Sequence, residues 1–260
     1  LDVLPQEFPC RLTGDFRSPV LDLVNADGSF GCDLRYQGYE ICDGKYNLKG
    51  LPAVYAAEEE AQTLIIYMKD QVTGLQVELL YGVLPEYDVI TRSAKVINTE
   101  EDKIRLTKAQ AACLDLLHGE FDVISFYGRH AMERNMQRTP VGHGAFVIGS
   151  RRGTSSHQYN PMMILAEKET TEDAGTCYGM SFVYSGGFKA EVEKDQFGQT
   201  RMQMGLQEEQ FSYPLKKGEE FVIPEVILTC SNQGLGKLSQ NLQRCIRKNL
   251  CRGKYKEKVR

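Results

Sequence analysis

An alternating pattern in the first third of the chain decides the predicted fold. Residues 75–83 read Leu75-Gln76-Val77-Glu78-Leu79-Leu80-Tyr81-Gly82-Val83. Side chains at every second position of a β-strand point to the same face of a sheet. Leu75, Val77 and Leu79 therefore share one face, while Gln76 and Glu78 fall on the other. The pattern predicts a half-buried strand that packs one face against a hydrophobic core.

Similar segments recur on both sides of this strand. Phe188, Ala190 and Val192 alternate with charged neighbours in the same way. Further candidate strands are Val20–Val24, Thr63–Lys69, Val89–Ile97, Phe146–Arg152, Met162–Ala166, Tyr178–Tyr184, Arg201–Leu206 and Phe221–Thr229. Turn sequences separate them, namely Ala26-Asp27-Gly28, Val72-Thr73-Gly74, Ser185-Gly186-Gly187, Gln196-Phe197-Gly198 and Leu215-Lys216-Lys217-Gly218. Strands separated by such turns predict an all-β fold, a large antiparallel sandwich.

One helix is predicted near the C-terminal end. Apolar residues recur with helical spacing at Leu235, Leu238, Leu242, Cys245, Ile246 and Leu250. Gly253 follows and is predicted to end the helix. The basic stretch after it is interpreted as a connector to a downstream segment. We therefore divide the chain into a β-sandwich over residues 1–230 and a helical linker over residues 231–260. The chain lacks an initiator methionine, so we expect a piece of a longer protein.

Composition and charge narrow the functional class. The chain has 260 residues and a net charge of −4. Its length suits one domain, because all-β domains often reach about 200–250 residues. The acidic balance argues against a general nucleic-acid binder, which normally carries a basic surface. No apolar run reaches the length of about 18 residues that a membrane-spanning helix needs, and no signal peptide is visible, so we expect a cytoplasmic protein.

The cysteines do not point to a metal site. They are Cys10, Cys32, Cys42, Cys113, Cys177, Cys230, Cys245 and Cys251, and no two have Cys-x-x-Cys spacing. A zinc site of the usual spacing is therefore not predicted. Eight cysteines in a chain of this length are also too few for a disulfide scaffold. We expect mostly reduced thiols, and neither a metal nor an organic cofactor.

The densest polar cluster is the segment Ser150-Arg151-Arg152-Gly153-Thr154-Ser155-Ser156-His157-Gln158-Tyr159-Asn160-Pro161. One interpretation is a loop that lines a polar site or a domain interface, with the arginines pairing carboxylates. The other is a turn whose polar side chains satisfy their own backbone. The candidate binding or interface residues are Arg151, Arg152, Ser155, Ser156, His157, Gln158 and Asn160. Adjacent residues rarely form a nucleophile–base pair, and no Gly-x-Ser-x-Gly motif accompanies Ser156-His157, so no catalytic role is assigned.

Two further charged clusters have a simple structural interpretation. Asp15 and Arg17, like Asp33 and Arg35, are two residues apart, a spacing that puts both side chains on one face of a strand. We expect surface ion pairs, each contributing roughly 0–1 kcal/mol. The segment 128–134 is expected to form a solvated charged turn.

Many short motifs together carry a family resemblance. In chain order they are Gln6-Glu7-Phe8-Pro9, Gly14-Asp15-Phe16-Arg17-Ser18-Pro19, Asp33-Leu34-Arg35-Tyr36, Gly50-Leu51-Pro52-Ala53-Val54-Tyr55, Asp88-Val89-Ile90-Thr91-Arg92-Ser93, Ser150-Arg151-Arg152-Gly153, Ser155-Ser156-His157-Gln158, Tyr184-Ser185-Gly186, Asp195-Gln196-Phe197-Gly198-Gln199-Thr200-Arg201 and Pro224-Glu225-Val226. Their order over nearly the whole chain resembles the amino-terminal domain of glycoside hydrolase family 36, a family of α-galactosidases. The chain departs from the family at Gly128-Arg129-His130-Ala131-Met132-Glu133-Arg134, where the family pattern has a tryptophan.

The resemblance implies a large antiparallel β-supersandwich, similar to the galactose-mutarotase fold, joined by a helical linker to a (β/α)8 barrel. In the family the barrel supplies two catalytic aspartates and retains the configuration of the sugar. This chain ends before the barrel and contains no tryptophan, so no catalytic residue is expected in it, and the first strands of the sandwich are expected to be missing. The implied partners are the chain's own downstream barrel, further copies in a dimer or tetramer, and, in the whole enzyme, an α-galactoside such as raffinose or melibiose. Nucleic acid and membranes are not expected partners.

Two alternatives stay open at this point. The domain could be a stand-alone carbohydrate-binding β-sandwich, although the absence of tryptophan removes the best stacking platform for a sugar. It could also be a mutarotase-like enzyme, a chemistry that needs an acid and a base on one concave sheet. His157 and Glu225 are the residues that we would assign to that pair, although nothing in their spacing favours it.

Overall fold

The structure, a computed structural model, describes residues 4–12, 14–99, 103–254 and 256. Within these ranges the chain forms fifteen β-strands and one α-helix. In chain order they are β1 (Leu21–Val24), β2 (Leu34–Asp43), β3 (Gln62–Asp70), β4 (Leu75–Leu84), β5 (Val89–Asn98), β6 (Ile104–Leu116), β7 (Phe121–Arg129), β8 (Met132–Pro140), β9 (Gly144–Gly149), β10 (Tyr159–Glu167), β11 (Cys177–Phe182), β12 (Phe188–Lys194), β13 (Thr200–Leu206), β14 (Tyr213–Leu215), β15 (Glu220–Ser231) and α1 (Gly234–Asn249).

The strands build two antiparallel sheets that face each other. The small sheet runs in the order β1-β6-β13-β12-β9, with β14 also paired to β6. The large sheet has nine strands in the order β2-β3-β4-β5-β15-β11-β10-β7-β8. The prediction of an all-β antiparallel supersandwich with a C-terminal helix is thus confirmed.

The main hydrophobic core fills the space between the two sheets. On β4 the buried residues Leu75, Val77 and Leu79 point into it, as the alternating pattern predicts. Phe188 of β12 and Met202 of β13 meet them from the small sheet and are fully buried. Because successive side chains of a strand alternate between faces, this core uses only every second residue of most strands.

Helix α1 covers the outer face of the large sheet. Its buried residues Leu238, Leu242 and Cys245 join a second hydrophobic cluster with Val89 and Ile227 of the sheet. The helix begins one residue before the apolar stripe starts and ends one residue before it stops. The connector predicted after Gly253 lies largely outside the described residues.

Not every predicted turn joins neighbouring strands. The Val72-Thr73-Gly74 turn closes the β3–β4 hairpin, and Gly74 donates its backbone N–H to the Asp70 carbonyl over 3.0 Å. The Gln196-Phe197-Gly198 turn closes the β12–β13 hairpin. The Ser185-Gly186-Gly187 turn instead carries the chain from β11 in the large sheet to β12 in the small sheet. The residues of a turn alone therefore do not show whether it closes a hairpin or connects two sheets.

Two features of the strand assignment needed correction. The segment Phe146–Arg152 was expected to be one strand, but β9 ends at Gly149. The chain turns there because the Ser150 hydroxyl donates a hydrogen bond to the Thr154 carbonyl over 2.6 Å. In addition, β2, β6, β7, β8 and β14 were not among the expected strands. Strand β6 contains Lys, Gln and several Ala residues, which are depleted in strands, so its local preference is weak.

Candidate functional site

The predicted polar segment forms the connection between β9 and β10 together with the first two residues of β10, and residues 150 to 160 are here called the 150–160 loop. It is built as a compact turn around Ser150, which is 4% exposed. The Ser150 hydroxyl also accepts a hydrogen bond from the Arg152 backbone N–H over 3.4 Å. Gly153 takes a positive φ of 74° there, a conformation that side chains other than glycine rarely adopt.

A second loop anchors the 150–160 loop. The Ser155 backbone N–H donates to the Ser185 carbonyl over 2.7 Å. The Gln158 carbonyl accepts a hydrogen bond from the Gly128 backbone N–H over 3.1 Å. Two motifs that are far apart in sequence, residues 150–158 and 184–186, are therefore neighbours in the fold.

The candidate side chains of the loop divide into exposed and anchored groups. Arg151 is exposed and forms an ion pair with Glu209, so the expected arginine–carboxylate pair exists here. Arg152 is exposed and reaches the Gln158 amide oxygen over 3.4 Å. The Ser156 hydroxyl accepts a hydrogen bond from the Gln158 backbone N–H over 3.2 Å, which fits the interpretation of a self-satisfied turn. His157 is exposed.

A groove of about 490 Å³ lies beside the loop. Its walls include Arg151, Tyr184, Phe211 and Phe221. The Phe211 and Phe221 rings contact each other with centroids 5.7 Å apart. Asn160, at the far end of the loop, has a buried side-chain oxygen for which the described structure gives no hydrogen-bond partner. Aromatic walls beside charged side chains are features of binding sites for polar ligands.

The Asp15–Arg17 pair is not a surface ion pair, and this expectation was wrong. The Arg17 guanidinium donates two hydrogen bonds to the Asp15 carboxylate, over 2.9 and 2.8 Å. The two side chains are 1% and 4% exposed. The pair is buried because the N-terminal segment folds over Arg201 of β13, whose side chain is fully buried. Asp33 and Arg35, by contrast, form the expected exposed pair at 2.7 Å.

Arg201 is the centre of this buried charge cluster, defined here as Asp15, Arg17, Asp115 and Arg201. Arg201 binds the Asp15 carboxylate over 2.7 Å and both oxygens of Asp115, each over 2.7 Å. Two arginines face two aspartates, so the cluster is balanced in charge. It unites two motifs from opposite ends of the chain, residues 14–19 and 195–201. Asp115 is the member that the sequence did not single out, although an aspartate between Leu114 and Leu116 in an apolar run is a signal for a paired buried carboxylate.

The cluster shifts the pKa values of its members. Burial alone would raise the pKa of Asp15, but hydrogen bonds from Arg17 and the charge of Arg201 outweigh it, and the pKa lies below its ordinary value. Burial would lower the pKa of Arg201, but hydrogen bonds and charge from Asp115 raise it. Asp15 and Arg201 therefore stay charged throughout the neutral range.

The lowered pKa of Asp15 leads to a prediction about acid. A carboxyl group whose pKa is lower in the folded state than in the unfolded state stabilises the fold. The full stabilisation is present when the pH is above the unfolded-state pKa, and it is lost as the pH falls through the folded-state pKa. We expect the free energy of unfolding to drop as the pH falls below about 4, and Asp15→Asn to weaken that dependence. Urea unfolding between about pH 7 and pH 3 measures it. The control is Asp33→Asn in the exposed pair, and an equal pH dependence in both variants would contradict the prediction.

A second buried ion pair lies below the outer face of the large sheet. The Lys45 ammonium donates to the Glu225 carboxylate over 2.5 Å, and the Val54 backbone N–H donates to the other carboxylate oxygen over 2.7 Å. The Glu225 side chain is 0% exposed. Because Glu225 is enclosed and paired with Lys45, it is not available as an acid or base beside the exposed His157, which counts against the mutarotase alternative.

The described residues contain neither a metal-binding cluster nor a membrane-spanning helix. No group of three histidine, cysteine, aspartate or glutamate side chains in the described ranges could hold a metal ion. In the same part of the chain no helix has the length and apolar character needed to cross a membrane. All eight cysteines are described, and no disulfide joins any two of them.

Comparison with known proteins connects this fold to one family. The family described as "Glycosyl hydrolase family 36 N-terminal domain" matches residues 1–216. The chain is 60% identical over 255 residues to the bifunctional alpha-galactosidase/sucrose kinase AgaSK of Mediterraneibacter gnavus, and the match covers 98% of this chain and 27% of that protein. It is 42% identical over 260 residues to the alpha-galactosidase Mel36A of Lactobacillus acidophilus, covering 100% of this chain and 36% of that protein.

Solved structures agree with the sequence comparison. The galactosidase domain of AgaSK superimposes with a TM-score of 0.98 at 59% identity, covering 100% of this chain and 36% of that one. A variant of the Geobacillus stearothermophilus alpha-galactosidase AgaA, solved with raffinose, gives a TM-score of 0.97 at 41% identity, again covering 100% and 36%. The chain spans 27–36% of the length of these relatives.

Proposed function

This chain belongs to the family of glycosyl hydrolase family 36 N-terminal domains, and we propose that it is the non-catalytic sandwich domain of an α-galactosidase. The enzyme would remove terminal α-galactosyl residues from oligosaccharides such as raffinose or melibiose, with retention of configuration. The observation that carries the proposal is the match over 98–100% of this chain to about a third of proteins that are named alpha-galactosidases.

The state of the buried carboxylates supports a non-catalytic role. A glycosidase needs two carboxyl groups that face the scissile bond of the sugar. Asp15 and Asp115 are 1% and 2% exposed and bind arginines, and Glu225 is enclosed by Lys45. None of these three can reach a substrate without losing its partner. The catalytic carboxylates are accordingly assigned to the downstream barrel.

The domain's own work, in this proposal, includes packing on the barrel that follows it. An apolar groove of about 460 Å³ supports this, with Ile90, Tyr178, Met180 and Leu228 in its lining. The groove adjoins the linker helix, because Asp88 in its rim accepts a hydrogen bond from Lys237 of α1 over 3.0 Å. A groove beside the helix that leads out of the domain is well placed to receive the next domain.

Contact with further copies of the enzyme is the second part of the proposed role. The edge strand β2 exposes Tyr36, Tyr39 and Ile41, which are 60%, 63% and 62% exposed. An unpaired edge with large apolar side chains favours association. We assign the 150–160 loop to the rim of the active site or to a domain interface, because Arg151 lines the aromatic groove and the adjacent Arg152 is exposed.

A stand-alone carbohydrate-binding role is the second candidate. The aromatic groove beside the 150–160 loop favours it, since Tyr184, Phe211 and Phe221 lie close to the charged Arg151. Aromatic faces next to polar groups suit a sugar, which has both apolar C–H surface and polar hydroxyl groups. In this case the isolated chain would bind galactose or raffinose saturably.

The test compares two proteins on a chromogenic α-galactoside: residues 1–260 alone, and the same gene extended through the barrel. We expect turnover only by the extended protein, and no saturable binding of raffinose to residues 1–260 by calorimetry. Turnover by the short protein would overturn the non-catalytic assignment, and saturable binding would favour the second candidate.

The same extended protein tests the role of the 150–160 loop. We expect Arg152→Ala to change KM for raffinose or the oligomeric state measured by light scattering. The matched control is Arg129→Ala, an exposed arginine at the β7–β8 turn. If Arg152→Ala and the control both leave KM and oligomeric state unchanged, the loop has neither role.

A further inference from the structure

Cys10 and Cys32 are two buried thiols on neighbouring segments of the structure. Cys10 follows Phe8-Pro9 in the N-terminal segment, and Cys32 lies in the connection between β1 and β2. Each is 3% exposed, and both belong to the main core. The two segments meet at β1, where Cys10 forms a bridge with Leu21 and the Gly31 backbone N–H donates to the Leu23 carbonyl over 3.4 Å.

Backbone packing holds the two cysteines together. A Cβ atom added to Gly31 would lie 2.9 Å from the Arg11 carbonyl oxygen and 3.0 Å from the Arg11 Cβ, so the two backbones are in direct contact. Arg11 directly follows Cys10, and Gly31 directly precedes Cys32. Cys32 is the neighbouring group with the largest effect on the pKa of the Cys10 thiol, which it raises. The two cysteines therefore lie on segments in direct contact, and a disulfide would require their sulfur atoms to come within about 2.05 Å of each other.

We propose that Cys10 and Cys32 are a dithiol site that forms an intramolecular disulfide when it reacts with a small disulfide oxidant such as oxidised glutathione. The thiolate of one cysteine attacks a sulfur of the oxidant and releases one glutathione, which takes up a proton. The second cysteine, as a thiolate, attacks the protein sulfur of this mixed disulfide and releases the second glutathione. The two protein thiols thus lose two protons and two electrons, and the oxidant's disulfide is reduced to two thiols.

The bond would close the segment from Cys10 to Cys32 into a covalent loop. This segment carries Asp15 and Arg17 of the buried charge cluster as well as β1. Closing a loop restricts the unfolded chain, and we expect the oxidised protein to melt about 5 °C higher than the reduced protein.

The buried setting makes the reaction slow near neutral pH. The hydrogen bond from Cys32 and burial both raise the pKa of Cys10 well above its ordinary value, so little thiolate forms. Because only the thiolate attacks a disulfide, we expect faster oxidation at about pH 9 than at about pH 7.

The experiment treats the full protein with oxidised glutathione, alkylates remaining thiols, digests it with trypsin without reduction and maps the peptides by mass spectrometry. Trypsin cleaves after Arg11, Arg17 and Arg35, so Cys10 and Cys32 fall in separate peptides. We expect these two peptides to be joined, with a mass about 2 Da below their sum. Cys177 and Cys230, on neighbouring strands, serve as the control pair that we expect to stay unlinked.

Variants separate the proposed bond from general oxidation. Cys10→Ala and Cys32→Ala are each expected to abolish both the linked peptide and the rise in melting temperature, whereas Cys245→Ala, a buried control, retains both. The proposal is overturned if native protein gives no linked peptide at either pH, or if Cys10 and Cys32 carry only glutathione. Linkage of Cys10 to other cysteines as often as to Cys32 would also overturn it.

Discussion

Replacing Arg201 with methionine is expected to lower the free energy of unfolding by about 3–5 kcal/mol, and the melting temperature by about 10 °C. The fully buried guanidinium binds Asp15 and Asp115, each at 2.7 Å. Methionine fills much of the same volume but leaves two buried carboxylates with the single cation of Arg17. An uncompensated charge in a region of low dielectric constant is the source of the loss. Urea and thermal unfolding of the variant and the unchanged chain measure it.

A matched control makes this prediction specific to burial. Arg35→Ala removes an arginine from an ion pair of the same Asp-x-Arg form, but with side chains 68% and 51% exposed. We expect a loss of less than about 1 kcal/mol from that change. A further variant, Arg201→Met with Asp115→Asn, removes the unpaired charge while keeping the Asp15–Arg17 pair, and should recover part of the loss. The prediction fails if Arg201→Met and Arg35→Ala have the same effect.

Replacing Glu225 with glutamine is expected to cost about 3–5 kcal/mol as well. The Lys45 ammonium would remain buried without a counter-charge, since its side chain is 1% exposed. Burial already lowers the pKa of Lys45, while the charge of Glu225 opposes that shift. Without Glu225 the pKa of Lys45 falls further. Unfolding measurements at neutral pH give the size of the loss.

The pH dependence identifies the cause of this loss. In the variant the pKa of Lys45 is lower in the folded state than in the unfolded state, where it is about 10.4. At any pH between these two pKa values, the unfolded state therefore binds more protons than the folded state. The free energy of unfolding therefore rises with pH in that range, and the Glu225→Gln variant should recover stability as the pH increases from about 7 to about 10. Glu78→Gln, in a half-buried pair with Lys95 at 3.0 Å, is the control. A loss that does not change with pH would show that Lys45 is not its origin.

Much of the fold could be predicted from local patterns. The strand predicted at Leu75–Val83 appears as β4, and the predicted helix appears as α1 within one residue at each end. These elements have strong periodicity, because one face is apolar and the other is polar. Strand β8, which contains Glu133, Arg134 and Arg138, was not expected, because it lies at an edge of the sheet and is largely exposed. Such a strand is held mainly by backbone hydrogen bonds, which do not depend on side-chain type and so produce no hydrophobic pattern in the sequence.

The candidate site was predicted less completely. Of the two arginines expected to pair with carboxylates in the 150–160 loop, Arg151 does so, whereas Arg152 contacts the Gln158 amide oxygen. The partner, Glu209, lies beyond β13 in the chain, and no local pattern indicates it. The same limit applies to Asp15 and Arg17, whose spacing suggested a surface pair. Their burial depends on Arg201, which is 184 residues away from Arg17 in sequence.

The sequence by itself determined the fold class, the position of the helix and the family, because these depend on periodicity and on short motifs that are read in order. The tertiary structure alone decided which strands are neighbours, that the Ser185-Gly186-Gly187 turn crosses between sheets, and which charged residues are buried. It also brought the segment around Cys10 against the segment around Cys32, and Lys45 against Glu225. The physical reason is that periodicity reports which face of a strand or helix is apolar, whereas burial and pairing of a charge depend on segments that meet only when the chain is folded.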